Sequence, residues 1–405
     1  MTARTFDTGV ADAAARLPEP PGHWSYSTLR EVELCPRRYI LAHATYPELW
    51  EGLGFPQTPN PAALFGDVVH DSLDRVIRAF VKAGCTSSNS EAGVAILKEL
   101  GGYTAVAQEA VTRRLRQFDA NPRVSGERRE RLEQQLEHRI PEARAAIQGY
   151  LARMTLVPRP VSDAGGSPPP PGRRPVGPGS HPEVELRADS LRIKGRVDLL
   201  TVTETHVDIT DHKTGAEDPS HLDQLRFYAT LWDQDEIANA SRTPLGTLTA
   251  SYPTTEVSIA APDVGELKTL AEAAHTRVAS ADEQLAAPIP VAVLGEHCGF
   301  CSVRSLCDRY WQEGTPDPAD LSDGTWFDFE GVVGQQHGPK SWWFLDAEAG
   351  HTRLLLRTTA PQSLMVGQRL RLLSIRREVD PEDEAIVALL TSSTETFVVV
   401  GVGDY

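Results

Sequence analysis

The chain has 405 residues, with 56 acidic against 40 basic side chains and a formal net charge of −16. That balance argues against a protein that coats nucleic acid by bulk electrostatics, while leaving room for a local basic channel. The sequence has no apolar run of the roughly 20 residues that span a bilayer, and its first 24 residues lack the apolar core of a secretory signal. The expectation is a soluble, cytoplasmic protein of two or three domains without a membrane segment.

Residues 1–23 are rich in small residues and proline and read as a loose lead-in. From Trp24 to about Phe118 the pattern is helical, with Ser25 or Ser27 placed to cap "TLREVELC". "LFGDVVHDSLDRVIRAFVKAG" sets apolar residues at 65, 69, 73, 76 and 80 on one helix face, and His70 borders that face. Taken alone, a histidine there is more often a satisfied core residue than a ligand. A second helical stretch runs to about Met154. Its arginines, in residues 111–139, fit either a solvated face of Glu–Arg pairs or a surface that tracks phosphates.

"SDAGGSPPPPGRRPVGPGSHP" (162–182) interrupts the pattern as a Pro/Gly linker or disordered loop, unable to bury enough apolar area to order itself. From Glu183 the period becomes two, and "VELRADSLRIKGRVDLLTVTETHVDITDHKTG" reads as successive strands with a hairpin. Helical periodicity returns in "SHLDQLRFYATLWDQ" and in "GELKTLAEAAHTRVASADEQLA". After a second linker, "GTPDPADLSDG", residues 325–405 hold five β-like runs: "TWFDFEGVV", "SWWFLD", "TRLLLR", "RLRLLSIRRE" and "ETFVVV". These predict a small β-barrel of the OB type, with another small barrel or a sandwich as the alternative.

The hairpin carries the chemistry. If the strand ending near Thr203 turns at Glu204-Thr205, cross-strand partners sum to 409, and Asp198 lies opposite Asp211. The same register pairs Leu200 with Ile209, Val202 with Val207 and Arg196 with Lys213. Directly opposed Cβ atoms lie about 4.5–5.5 Å apart, and two carboxylates at that spacing repel unless a cation sits between them. A hard divalent ion such as Mg²⁺ or Mn²⁺ meets that need. Lys213 projects to the same side, where it can orient or deprotonate a water or stabilise charge on a phosphate. The bland alternative is two surface salt bridges, Asp198–Arg196 and Asp211–Lys213; Asp208 reads as structural. Glu183 and Glu185 precede the first aspartate, and Glu185 reads as the better additional ligand.

Three of five cysteines crowd into "EHCGFCSVRSLCDRYW" as C-x2-C-x5-C: Cys298, Cys301 and Cys307. Cys35 lies upstream in "CPRRY", and Cys85 is left over as a simple helix-end residue. Without a signal peptide, this pattern points to metal or cluster ligation rather than disulfides.

"KGRVDLL" followed by "DITDHKTG" resembles the core of the PD-(D/E)xK nucleases, most closely the RecB-type branch that includes the AddB nuclease domain and the CRISPR-associated adaptation nucleases. "FGDVVHDSLD" resembles that branch's upstream helix, with His70 as the matching metal-reaching histidine. "DQLRFYATLW" resembles its Q-x3-Y motif, with Gln224 and Tyr228 supporting the site and contacting DNA; without the other motifs, helix packing would explain both. The resemblance covers residues 24–312 and implies an α/β restriction-endonuclease-like core, a mixed sheet flanked by helices.

The resemblance also implies Mg²⁺ or Mn²⁺ on His70, Asp198, Asp211 and the carbonyl of His212, with Lys213 assisting hydrolysis. The cysteines match the branch's iron–sulfur version, in which Cys35, Cys298, Cys301 and Cys307 hold a [4Fe–4S] cluster that ties the two ends of the domain together; structural zinc on the same thiolates is the competing reading. The implied activity is cleavage of DNA, as single strands or at ends, in repair, recombination or anti-phage defence. With no Walker A sequence, any helicase or defence partner acts in trans. A catalytically idle nucleic-acid-binding scaffold and an RNA nuclease are the alternatives. The 162–182 insertion and the β-rich tail lie outside the resemblance, and Trp342, Trp343 and Phe344 in the tail are candidates for base stacking or barrel core.

Overall fold

The computed structural model describes residues 5–7, 16–46, 54–124, 126–159, 172–345, 352–359, 362–379 and 385–399. The chain divides into two compact units. One comprises Pro20–Arg30 and Pro59–Glu283; the other comprises Met1–Glu19, Glu31–Thr58 and Gln284–Tyr405. Among the described residues no helix is long and apolar enough to cross a membrane.

The helices that open the chain are α1 (Tyr26–Leu34) and α2 (Pro36–His43). Ser25 caps α1 by accepting from Thr28 N at 3.1 Å, while Thr28 Oγ1 accepts from Ser25 N at 2.9 Å. In the first unit, α3 (Pro61–Lys82), α4 (Glu91–Glu99), α5 (Gly102–Arg116), α6 (Glu127–His138) and α7 (Ile140–Arg153) form a helical layer. Asn60 Oδ1 starts α3 by accepting from Ala62 N at 2.9 Å and Ala63 N at 3.3 Å, and Pro61 fits the first turn, where an N–H would go unused. Phe65, Val69, Leu73, Val76 and Phe80 are all buried, joining Val106, Ile147, Tyr150 and Leu199 in one apolar core.

The sheet of this unit is ordered β2 (Gly179–Ala188), β3 (Ile193–Val202), β4 (Val207–His212), β5 (Leu245–Ser251), β6 (Glu256–Ala260). The β4–β5 pair is parallel and the other pairs are antiparallel. Leu199 pairs with Thr210, Leu200 with Ile209, Thr201 with Asp208 and Val202 with Val207, the register that sums to 409. Glu204-Thr205 is a poor turn pair by itself. Thr203 compensates: its N–H donates to His206 O at 2.9 Å, and its Oγ1 accepts from His206 N at 3.0 Å. α8 (Pro219–Gln234), capped by Asp218, lies on the sheet so closely that a Cβ on Gly195 would come within 2.9 Å of Tyr228 Cε1. The long helix α9 (Val264–Ala286) follows.

The other unit holds a seven-stranded sheet. Its strands are β1 (Thr5–Asp7), β7 (Trp326–Gly338), β8 (Ser341–Leu345), β9 (Thr352–Thr358), β10 (Arg369–Glu378), β11 (Val387–Leu390) and β12 (Glu395–Val399). The order is β1-β12-β10-β11-β9-β8-β7, and β7 also pairs with β10. The pairings β7–β8–β9–β11–β10 therefore return to β7, with β9–β11 parallel. β10 serves three partners because its register breaks between Leu372 and Ile375, where Ser374 takes φ 60°.

Several sequence expectations are corrected here. Residues 5–7 of the expected loose lead-in form a strand parallel to β12. The expected 162–182 interruption ends earlier, since Gly179–Pro182 belong to β2; residues 162–171 lie outside the described residues. Ser180 N donates to Val157 O at 2.8 Å, which recruits this polar end into the sheet. Strands β5, β6 and β11 were not anticipated. Trp342 and Phe344 are buried among Phe327, Phe329, Leu354 and Leu370, which removes them as stacking surfaces; Trp343 alone of the three is partly exposed.

Candidate active site

Four elements converge at the open end of the β3–β4 hairpin. β3 brings Asp198, the end of β4 brings Asp211, His212 and Lys213, α3 brings His70 and α8 brings Gln224 and Tyr228. Asp198 Oδ2 accepts from His212 N at 2.7 Å and lies 3.5 Å from His70 Nδ1 and 3.7 Å from His212 Nδ1. Lys213 Nζ stands 2.5 Å from Asp211 Oδ2 and donates to Gln224 Oε1 at 2.7 Å. Gln224 Nε2 donates in turn to Tyr228 Oη at 2.7 Å, and Tyr150 Oη donates to Lys213 O at 2.7 Å.

The electrostatics separate the two aspartates. Burial disfavours charge on both. At Asp198 the His70 and His212 contacts outweigh burial and hold the carboxyl below the usual range. At Asp211 burial and the Asp198 charge add, and the carboxyl is raised despite Lys213. His70 is pulled down by burial but pushed up more strongly by Asp198, to about 9. Burial lowers His212 to about 4, and its buried Nε2 has no hydrogen-bond partner. Burial and the Asp211 charge raise Tyr228, so its hydroxyl stays protonated.

Glu183, rather than the Glu185 that the sequence favours, completes the constellation. Pro182 pairs with Leu199 and Val184 with Val197, so Glu183 falls opposite Asp198. Burial, then the charges of Asp198 and Asp74, raise its carboxyl to about 7. Its φ of 53° is a left-handed conformation unusual for a non-glycine residue, a strain of the kind stored at functional sites. Glu185 pairs with Arg196 and is exposed, so the preference for it is corrected. The cross-strand sum of 381 was the signal that would have found Glu183. His212 also differs from expectation: its ring, 2% exposed, packs on Tyr150 with centroids 5.2 Å apart, rather than lending its backbone alone. Asp208 accepts from Thr247 N at 2.8 Å, a structural role.

Several arginines of residues 111–139 are paired with carboxylates within the unit. Arg114 makes a bidentate pair with Asp71 at 2.8 and 2.5 Å, Arg129 lies 3.1 Å from Asp119, and Arg139 pairs with Glu142 at 2.7 Å.

Cys35, Cys298, Cys301 and Cys307, all free thiols, line one small cavity of about 20 Å³ in the other unit, together with Arg37, Arg38, Arg304 and His297. Cys35 Sγ accepts from Arg38 N at 3.4 Å and from Val293 N at 3.5 Å. Burial raises the Cys301 thiol to about 11 and also raises Cys307. Cys85 is buried in the helical core of the first unit.

Among the described residues no group of three or more His, Cys, Asp or Glu side chains stands in an arrangement that could hold a metal ion as it is. The donor chemistry of both sites nevertheless suits one. Asp211 Oδ2 is buried without a well-aligned hydrogen-bond donor, being held in the Lys213 ion pair, and its carboxyl feels the charge of Asp198. The cysteine cavity offers four soft sulfur donors among guanidinium groups that offset thiolate charge.

A mixed sheet flanked by helices thus brings two aspartates and a D-x-K lysine together at one end. A family model for the PD-(D/E)XK nuclease superfamily matches residues 23–308, and the chain belongs to that superfamily. No curated protein matches the chain significantly.

Proposed function

We propose that this protein is a divalent-metal-dependent deoxyribonuclease of the RecB-type branch, acting on single-stranded DNA or DNA ends. One observation carries the reading: the Lys213 ammonium bridges Asp211 and the Gln224–Tyr228 pair at the point where Asp198, His70 and Glu183 meet. Asp198, Asp211, His70 and the His212 carbonyl would hold Mg²⁺ or Mn²⁺, with Glu183 beside them, and the bound ion would supply Lewis-acid activation of water and phosphate. Lys213 orients the attacking water and places positive charge against the phosphate oxygens. Gln224 fixes the ammonium, and the protonated Tyr228 fixes Gln224. Asp198 holds the His212 backbone and the His70 ring in place.

Cys35, Cys298, Cys301 and Cys307 would hold a [4Fe–4S] cluster; their free thiols around one cavity support this, with zinc as the competing occupant. The cyclic pairing of β7, β8, β9, β11 and β10, with β9 and β11 parallel, supports an OB-like barrel in the tail. With no motor motif in the sequence, an unwinding partner would act in trans, in repair or defence.

The test incubates end-labelled single-stranded DNA, blocked at the 5′ or 3′ end, with Mn²⁺ and either wild type or Lys213→Ala, with a parallel RNA arm. Cleavage by wild type alone supports the reading. Cleavage that survives the substitution removes Lys213 from the mechanism, cleavage of RNA alone reassigns the substrate, and cleavage by neither protein favours the scaffold reading. Protein that is colourless when isolated without oxygen and that carries stoichiometric zinc would replace the cluster.

A further inference from the structure

We infer that the C-terminal sheet is the platform on which the four-cysteine site is assembled, with Asp328 and Arg371 as its positioning residues. The inference rests on the reading that those cysteines hold a metal group. The segment that carries three of them has little regular structure, only short turns at Glu296–Phe300, Arg304–Leu306 and Tyr310–Gly314. Such a segment does not fix sulfur positions by its own backbone hydrogen bonds, and ligation requires that they be fixed.

Side chains from the sheet supply that order. Asp328, on β7 and 7% exposed, accepts from Arg304 Nε at 2.5 Å and from Tyr310 Oη at 2.9 Å. Arg304 lies between Cys301 and Cys307 in sequence, and its Nη1 donates to the Cys301 carbonyl at 3.2 Å. Tyr310 N donates to the Cys307 carbonyl at 3.0 Å. One buried carboxylate thus grips a residue bonded to each of two cysteines. Its other oxygen accepts from Ser374 N at 2.8 Å, at the register break of β10.

Arg371, on β10 and also 7% exposed, holds the middle of the same segment. It donates to Ser305 O at 2.7 Å and to Asp308 Oδ1 at 2.9 Å, while Glu330 on β7 accepts from its Nε at 2.6 Å. Leu373 and Phe397 of the sheet pack in one apolar cluster with Cys301, Val303, Leu306, Tyr310 and Trp311. Removing one partner from such a network strands the other charge in a buried place. Because metal binding and ordering of the ligand segment are linked, that loss falls on metal retention.

The test uses the full chain, purified without oxygen, as wild type, Asp328→Asn, Arg371→Met and the milder Tyr310→Phe. Phe344→Leu, which thins the interior of the same sheet away from the cysteines, is the control for general weakening. Iron and zinc per chain, visible absorbance and the rate of metal loss to a chelator are read, with far-ultraviolet circular dichroism for folding. The expected result is metal loss about 10-fold faster in Asp328→Asn and Arg371→Met, a smaller acceleration in Tyr310→Phe, and near wild-type retention in Phe344→Leu. If Asp328→Asn is insoluble, Arg371→Met and Tyr310→Phe carry the same reading. Equal loss in Phe344→Leu overturns the positioning role, as does wild-type retention in the Asp328 and Arg371 variants. Wild-type protein free of both metals overturns the metal reading, and the inference falls with it.

Discussion

The Lys213 ammonium lies between Asp211 Oδ2 at 2.5 Å and Gln224 Oε1 at 2.7 Å, so the lysine of the D-x-K strand is held from both sides. Gln224 is in turn tied to Tyr228, whose ring abuts Gly195 on β3. A helix residue therefore fixes the direction of the charge just beyond the end of β4.

This predicts a graded series in turnover under saturating Mn²⁺. Lys213→Ala falls furthest, about 100-fold or more, the scale of a lost proton-transfer or charge-stabilising group. Gln224→Ala falls about 10-fold, since the ammonium remains with one anchor fewer, and Tyr228→Phe falls least. A Tyr228→Phe defect as deep as that of Lys213→Ala would mean that the hydroxyl acts on substrate directly.

The two aspartates should respond oppositely to neutralisation in metal-free protein at pH 8. Asp198 has a depressed folded-state pKa, so it contributes stability above the unfolded value that is lost as pH falls. Asp211 has a raised one, so its contribution is lost as pH rises through the folded value. Asp198→Asn therefore lowers the melting temperature and releases His70 from the contact that keeps it protonated, while Asp211→Asn raises it. Thermal scans with a chelator present check the signs, and a shared sign would refute the separation of the pair.

Glu183, raised to about 7, is mostly protonated at pH 6 and ionised at pH 8.5. Metal binding should then be tighter at pH 8.5 and should release more protons at pH 6. Calorimetry in buffers of different ionisation enthalpy measures that release. In Glu183→Gln the difference between the two pH values shrinks; an unchanged difference would remove Glu183 from the metal-facing set.

Gly66 stands four residues before His70 on α3, and a Cβ there would come 2.9 Å from Thr214 Oγ1. Alanine has a helix propensity better by about 1 kcal/mol, so Gly66→Ala should leave stability near wild type or above. Activity should drop about 10-fold, because His70 is pushed away from Asp198. Thr214→Ala in the same chain should restore much of it; no restoration would place the defect elsewhere.

The hairpin was legible because its register is a local matter. The period-two pattern fixes which faces match, and Thr203 closes the turn with its own side chain. Glu183 was harder to find because its place opposite Asp198 depends on the β2–β3 register, which is set across the Asp189–Leu191 turn. β1 has three residues and gains its order from Thr396–Val398, far along the chain, which no local pattern reveals. β11 was missed for its brevity: it has four residues, and its parallel partner β9 is not its neighbour in sequence. The grouping of the cysteines with the tail depends on Asp328 and Arg371, whose partners lie 24 and 63–66 positions away.

The division of the chain also sets an order of birth. Every residue of the hairpin, α3 and α8 lies before Glu283, so that unit can close while the remainder is still being synthesised. The other unit is stitched from three separate stretches and waits for β12 before its sheet is complete. Asp198 and Asp211 are therefore both made before Cys298, Cys301 and Cys307, so any group held by the four thiols would join a chain whose hairpin unit is already complete in sequence.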